Sequence, residues 1–316
     1  MKTVLALLLL TSIAFAADTP AKKAEAPKAP AKKVYPKNPP PTVANLKYGP
    51  FERNVLDFWQ AKSDKPTPLL FFIHGGGWMG GDKAGIAVEP FLKEGISVVS
   101  INYRYISQAQ DVVPPVKAPL HDAALALQTV RSKAAEWNID KLRIGASGGS
   151  AGACSSLWLA FHPDMADPKS SDPIARESTR LYTAAVNGPQ TTLDPKQMRE
   201  WTPNSKYGGH AFSKNGEYKN FDDFVAARER ILPWIVEYSP NALVSSDDPP
   251  VYCSFGAPPA IGQEQKDPTH TANFGVKLQE HCKANGVACE VVYPGALDVK
   301  FKTINDYLIA KLKEVK

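Results

Sequence analysis

The stretch Gly148-Gly149-Ser150-Ala151-Gly152 constrains this chain more than any other. It directly follows the apolar run Leu142-Arg143-Ile144-Gly145-Ala146. It precedes a small-residue helical run, Ala153-Cys154-Ser155-Ser156-Leu157-Trp158-Leu159-Ala160. A strand, then Gly-x-Ser-x-Gly, then a helix is the context in which this motif makes a tight, strained turn that lifts a serine hydroxyl above a sheet. Only small residues fit beside such a serine. The unpaired N–H groups of the following helix N-terminus point toward it. A hydroxyl held there can attack an acyl carbon once a base removes its proton. The pentapeptide alone does not decide the matter, because glycine-rich strand-to-helix turns also bind phosphate or simply pack.

A second motif adds weight. Leu69-Leu70-Phe71-Phe72-Ile73 reads as a buried strand and runs into His74-Gly75-Gly76-Gly77-Trp78. Consecutive glycines leave backbone N–H groups uncovered. Aimed at a developing oxyanion, each such donor contributes roughly 3 kcal/mol to the transition state of acyl transfer.

The two motifs, in this order and each behind a strand, resemble those of the α/β-hydrolase superfamily. The similarity is to its His-Gly-Gly-Gly-Trp carboxylesterases, the hormone-sensitive-lipase-like and bacterial feruloyl-esterase-like groups. It extends from about Tyr48 to the C-terminus. It implies an α/β-hydrolase fold, with a mostly parallel central sheet, helices on both faces and an inserted cap segment. It also implies Ser150 as nucleophile and Gly76, Gly77 and Ala151 as the oxyanion hole. The activity it implies is that of an exported serine hydrolase cleaving carboxylic esters, on small-molecule or polysaccharide-linked carbohydrate or aryl esters.

The rest of the chain is compatible with such a fold. Apolar runs at Leu69–Ile73, Ile96–Asn102, Leu142–Ala146, Leu181–Val186, Val251–Phe255 and Cys289–Tyr293 alternate with helical patterns. Those patterns fall at Val88–Glu94, His121–Trp137, Ala153–His162, Asn273–Ala284 and Thr303–Val315, as βαβ units require. Asn54–Trp59 reads as an antiparallel edge strand. The stretch 188–245 breaks the alternation and carries Trp201, Tyr207, Phe212, Tyr218, Phe221, Phe224, Trp234 and Tyr238. It reads as a cap over the carboxyl ends of the strands, with aromatics that pack the insertion or stack on a sugar or aryl group.

The N-terminus has a different character. Met1-Lys2, the apolar run Val4–Ile13 and Ala14-Phe15-Ala16 form a secretory signal peptide over residues 1–16. Residues 17–47, rich in Ala, Lys and Pro, read as a linker. Residues 1–47 hold eight lysines against Asp18 and Glu25, so the net charge of +5 belongs to this segment and not to the folded body. Nucleic acid is therefore not an expected partner. The chain is expected to be secreted or periplasmic, with no membrane span, no metal and no cofactor. Its cysteines are scattered, without the paired spacing of a zinc site. Cys282 and Cys289 flank a turn at Gly286 and are either a disulfide or free thiols.

A serine needs a histidine base, and the histidine an orienting carboxylate. The resemblance places that histidine just after the last strand, where this chain reads Pro294-Gly295-Ala296-Leu297-Asp298. It places the acid after the seventh strand, where the chain reads Gly256-Ala257-Pro258-Pro259-Ala260. Taking Ala257–Lys266 as an insertion restores Asp267 to the acid position; a plain helix N-cap followed by Pro268 is the other reading. Of the six histidines, His74 belongs to the glycine motif, and His121, His162, His210 and His281 have no evident route to Ser150. His270 lies within a helical turn of Asp267 and adjoins the expected site. It is either the base, oriented by Asp267 or Asp298, or a surface histidine. If it is not the base, the chain is a degenerate hydrolase that binds a ligand without turning it over.

Overall fold

The computed structural model describes residues 35–314. The signal peptide, residues 17–34 of the expected linker and Val315 lie outside the described residues. Eight strands form one sheet: β1 Val43–Lys47, β2 Val55–Trp59, β3 Thr67–Ile73, β4 Ser97–Ile101, β5 Ile139–Gly149, β6 Thr183–Asn187, β7 Val251–Ser254 and β8 Cys289–Val292. The helices are α1 Glu89–Lys93, α2 Lys117–Ser132, α3 Ala151–Phe161, α4 Pro195–Trp201, α5 Gly209–Phe212, α6 Phe221–Tyr238, α7 Pro240–Leu243, α8 Asn273–Ala284 and α9 Ile304–Lys313. None is long and apolar enough to cross a membrane.

Strand order is β1-β2-β4-β3-β5-β6-β7-β8. From β4 to β8 every pairing is parallel, and β1 and β2 add an antiparallel margin. Strand periodicity accounts for the layers. Leu69, Phe71 and Ile73 face one core with α2, α3 and α8, whereas Leu70 and Val98 face a second core with Phe91 of α1 and Tyr307, Leu308 and Leu312 of α9. Parallel strands covered on both faces are apolar throughout, which is why β3 and β4 read as unbroken hydrophobic runs. This is the α/β-hydrolase fold that the two motifs imply.

Two expectations are corrected here. The linker does not extend through residue 47, since Val43–Lys47 is a paired strand. Upstream of it, Asn38 bonds the Ile86 carbonyl at 2.7 Å and the Val88 N–H at 3.1 Å, and the Trp59 indole donates to the Pro39 carbonyl at 2.8 Å. As a result, Val55–Trp59 lies one strand in from the edge. A short, half-exposed β1 is what a Pro/Lys-rich composition permits at a sheet margin. The four cysteines are free thiols, Cys282 and Cys289 included.

Between β6 and β7 the chain builds α4, α5, α6 and α7. Phe212 and Phe224 are buried and stack 5.8 Å apart, with Tyr218 5.7 Å from Phe224. These aromatics pack the insertion.

Candidate active site

Ser150 sits between β5 and α3 with φ 53° and ψ −122°, a strained conformation for a residue with a side chain. The elbow is held by Ser150 N–H donating to the Asn187 carbonyl at 2.9 Å and by Cys154 N–H donating to the Ser150 carbonyl at 2.9 Å. Its glycines serve close approach. A Cβ on Gly152 would stand 2.1 Å from the Ile73 carbonyl oxygen, so the helix start can press against the end of β3 only without one.

That contact brings the glycine loop beside the serine. Gly76 and Gly77 take positive φ of 109° and 63°, and Trp78 one of 55°. The loop is anchored at several points. The Trp78 ring is fully buried and its indole N–H donates to Ser155 Oγ at 3.0 Å. The Trp78 carbonyl accepts from Ile106 N–H at 2.9 Å. His74 stacks on Tyr103 at 4.3 Å and its Nε2 lies 3.2 Å from the Arg53 guanidinium. His74 therefore supports the loop. Gly75 lies against the elbow, since a Cβ on it would stand 2.5 Å from the Gly149 carbonyl oxygen and 3.5 Å from Ser150 Cβ; Gly76 and Gly77 follow it in the loop, and Ala151 opens α3.

His270 Nε2 is 2.9 Å from Ser150 Oγ, and His270 Nδ1 is 2.8 Å from Asp267 Oδ2. An ionised carboxylate only accepts, so Nδ1 carries the proton and Nε2 presents its lone pair to the serine O–H. Burial alone would push the Asp267 carboxyl up. The hydrogen bond and charge of His270, with the backbone N–H groups of Thr269 and His270, outweigh it and hold the carboxyl below its usual range. Asp267 is not the N-cap of α8, which begins at Asn273. It instead tightens the turn that presents His270, accepting from Thr269 N–H at 3.1 Å and His270 N–H at 3.3 Å.

The turn is fixed from below. Gly188, with φ 55°, leaves room for the imidazole: a Cβ there would come within 3.2 Å of His270 Cβ. Buried Gln190 donates to the Thr269 carbonyl at 2.7 Å. Asn273 donates to the Trp201 carbonyl at 2.8 Å and to Thr202 at 2.9 Å, docking the segment onto α4. His270 Nδ1 is bonded to Asp267 and not to Asp298. Asp298 is exposed, next to a Leu297 that is 88% exposed.

The cleft around this array measures about 800 Å³ and is bordered by Gly149, Gly188, Gly256, Gln265 and Lys266. None of the aromatics of 188–245 lines it, so of the two readings of those residues packing is the one the structure supports. The wall on that side is the segment after β7 and not the insertion between β6 and β7. The insertion instead touches the glycine loop. His210 Nε2 lies 3.1 Å from the Gly77 carbonyl, and burial pushes its imidazole down, partly opposed by that carbonyl. Tyr207 packs edge-on against His210 at 4.7 Å, its hydroxyl buried without a partner. Sequence spacing carries no signal for these contacts, since 133 residues separate His210 from Gly77. His281, which the helical pattern leaves without a role, is half-buried and bonded to the Asn241 carbonyl at 2.8 Å.

Comparison with known proteins gives the family and the fold. The model of the BD-FAE family matches residues 56–265. A probable carboxylic ester hydrolase, LipM, of Mycobacterium tuberculosis is 33% identical over 150 residues, which are 44% of this chain and 32% of that one. Gut esterase 1 of Caenorhabditis elegans is 29% identical over 154 residues, 46% of this chain and 27% of that one. The matches thus span about a third of these curated relatives or less. Among solved structures, a truncated carbohydrate esterase from gut microbiota superposes with a TM-score of 0.61 at 20% identity, covering 91% of this chain and all of the other. At that identity the likeness concerns the fold.

Proposed function

This chain belongs to the BD-FAE family, and from that premise we propose that it hydrolyses carboxylic esters through an acyl-enzyme on Ser150. The observation that carries the reading is the Ser150–His270–Asp267 relay, with contacts of 2.9 and 2.8 Å. Its relatives include proteins described as esterases and carboxylic ester hydrolases.

The chemistry follows from the placement of protons. His270 Nε2 takes the Ser150 proton as Oγ attacks the carbonyl carbon. Asp267 holds Nδ1–H and stabilises the imidazolium that forms. The oxygen that gains charge is received by the N–H groups of Gly76, Gly77 and Ala151. His270 then protonates the departing alcohol oxygen, leaving an acyl group on Ser150. Water, deprotonated by the same imidazole, attacks that acyl carbon; the bond to Ser150 Oγ breaks as His270 returns the proton to Oγ, and the acid leaves. No step needs a metal or organic cofactor.

The substrates we propose are esters of carbohydrate or aryl groups. Structural neighbours described as an acetyl ester-xyloside hydrolase and a carbohydrate esterase support this choice, as does a wide cleft bordered by Gln265 and Lys266. The N-terminal pattern of Lys2, Val4–Ile13 and Ala14-Phe15-Ala16 supports export. A ligand-binding protein without turnover is the weaker reading. Its motive is the missing histidine after β8, and His270 fills that role from the connection between β7 and α8.

Hydrolysis of 4-nitrophenyl acetate and of acetylated xylan fragments tests the proposal. Turnover that disappears in Ser150→Ala is expected; equal turnover in that variant would refute it. Export is checked by the mature N-terminus, expected at Ala17; an exported chain that keeps Met1 refutes cleavage there.

A further inference from the structure

The glycine loop makes a turn that its sequence does not favour. Gly76-Gly77-Trp78-Met79 is closed by Met79 N–H donating to the Gly76 carbonyl at 3.0 Å. Both central residues have left-handed φ, 63° at Gly77 and 55° at Trp78, which marks a type I′ turn. Glycine adopts such a φ freely, whereas a residue as bulky as tryptophan does so only under constraint. Turning over the central peptide, between Gly77 and Trp78, would give a type II′ turn. Gly77 alone would then keep a positive φ, the closing bond would survive, and Trp78 would lose its strain. The group that holds the central peptide the other way round therefore decides the shape of the loop.

That group is His210. Its Nε2 lies 3.1 Å from the Gly77 carbonyl, and a carbonyl only accepts, so Nε2 carries the proton. The other anchors, from the Trp78 indole to Ser155 and from the Trp78 carbonyl to Ile106 N–H, act on Trp78 beyond this peptide. The imidazole is itself braced. Tyr207 packs edge-on against it at 4.7 Å. Val116 N–H donates to the Ala211 carbonyl at 3.0 Å, tying α5 to the start of α2. Gly209 lies against the ring of Phe224 in α6, where a Cβ would come within 3.3 Å of it. The Tyr207 hydroxyl and His210 Nε2 close over Gly77: a Cβ on Gly77 would stand 3.6 and 3.8 Å from them.

We infer that His210 is a positioning residue for ester hydrolysis, holding the glycine loop in the turn that aims the Gly77 N–H at the oxyanion. The inference rests on the ester-hydrolase reading and deepens it. The two dihedrals of Gly77 are all that separate the held peptide from that N–H, so a central peptide set free displaces the donor as well. The loop then spends part of its time in a turn that does not serve the reaction, and stabilisation of the oxyanion falls. Binding of the ester before reaction is spared, because neither His210 nor Gly77 borders the wide cleft. The inserted segment thus serves the chemistry from outside the cleft.

The test uses 4-nitrophenyl acetate and two variants. His210→Leu fills the space without a donor; His210→Gln offers an amide N–H to the same carbonyl. His210→Leu is expected to lower kcat by about 10- to 100-fold, less than the loss of a whole oxyanion donor, with KM within about twofold. His210→Gln recovers most of that loss. The second readout is inhibition by 2,2,2-trifluoroacetophenone. Ser150 Oγ bonds to its carbonyl carbon, the π pair moves onto the oxygen as an oxyanion, and the serine proton passes to His270 Nε2. Its inhibition constant rises in His210→Leu by the factor by which kcat falls, while acetophenone, which forms no such adduct, inhibits both proteins alike. Should His210→Leu fail to fold, His210→Asn, whose shorter side chain falls short of the carbonyl, takes its place. Unchanged kcat in the folded variant overturns the inference. Equal losses in His210→Leu and His210→Gln overturn it in favour of packing. A loss carried by KM, or a lower kcat with an unchanged inhibition constant for the trifluoroketone, also overturns it. Each of these results leaves the esterase reading in place. No turnover of any ester by the unsubstituted protein overturns both.

Discussion

The imidazole of His270 stands 2.9 Å from the hydroxyl of Ser150, although 120 residues separate them in sequence. The base reaches the serine from the β7–α8 connection, not from the loop after β8. Asp267 lies only three residues before it and both orients the ring and tightens the turn that carries it. Acid and base thus arrive as one local unit.

Asp267→Asn is expected to lower kcat by about 10- to 100-fold, with KM little changed. The amide can turn its N–H₂ toward Nδ1 and favour the wrong tautomer. The effect is smaller than for a buried acid because the Asp267 side chain is 62% exposed. Steady-state kinetics on a short aryl ester check this; unchanged kcat would place the orienting charge elsewhere.

Asp298→Ala is expected to leave kcat/KM within about twofold. Asp298 is exposed, and His270 Nδ1 is already taken by Asp267. A large loss in the same assay would return the loop after β8 to the site.

Gly152→Ala is expected to cost about 3 kcal/mol or more, since the added carbon meets backbone oxygen that cannot move away. Urea unfolding measures it. A midpoint equal to that of the unsubstituted protein would show that β3 and α3 are not pressed together as described.

Stability should fall in weak acid because of His121. Its Nε2 is buried without a partner, and burial, with Lys117 and His162 nearby, pushes the imidazole from 6.5 down to about 4. The fold holds the neutral form. The unfolded chain takes up a proton near pH 6.5 and the folded one only near pH 4, so stability present above 6.5 is lost as pH falls toward 4. The loss is on the order of 2–3 kcal/mol. His121→Phe, packing against Trp158 and Tyr238, should flatten the dependence of the urea midpoint across that window. An unaltered slope would assign it to other groups, such as His210.

Much of the fold was legible because parallel strands buried on both faces declare themselves as apolar runs, as Leu69–Ile73 does. The helix Asn273–Ala284 was legible in both its ends. Strand β1 was not, because its pattern is weak and its neighbours are Pro and Lys. Ser150, Asp267 and His270 were legible because two of them share a turn and the third has a strand-turn-helix signature. The contact of His210 with Gly77 was not, since it depends on how the insertion folds back over the glycine loop. That the insertion's helices do not wall the cleft was not legible for the same reason. Trp201, Phe212 and Phe224 are buried in their own packing, and the residues after β7 take the place beside the serine.

The central claim is that His270 activates Ser150. The most direct measurement is the rate at which a fluorophosphonate probe labels Ser150, read by peptide mass, in the unsubstituted protein and in His270→Ala. The expected result is labelling at Ser150 that slows by about 10² to 10⁴ in the variant. Equal rates in the two proteins, or no labelling of Ser150 in either, would contradict it.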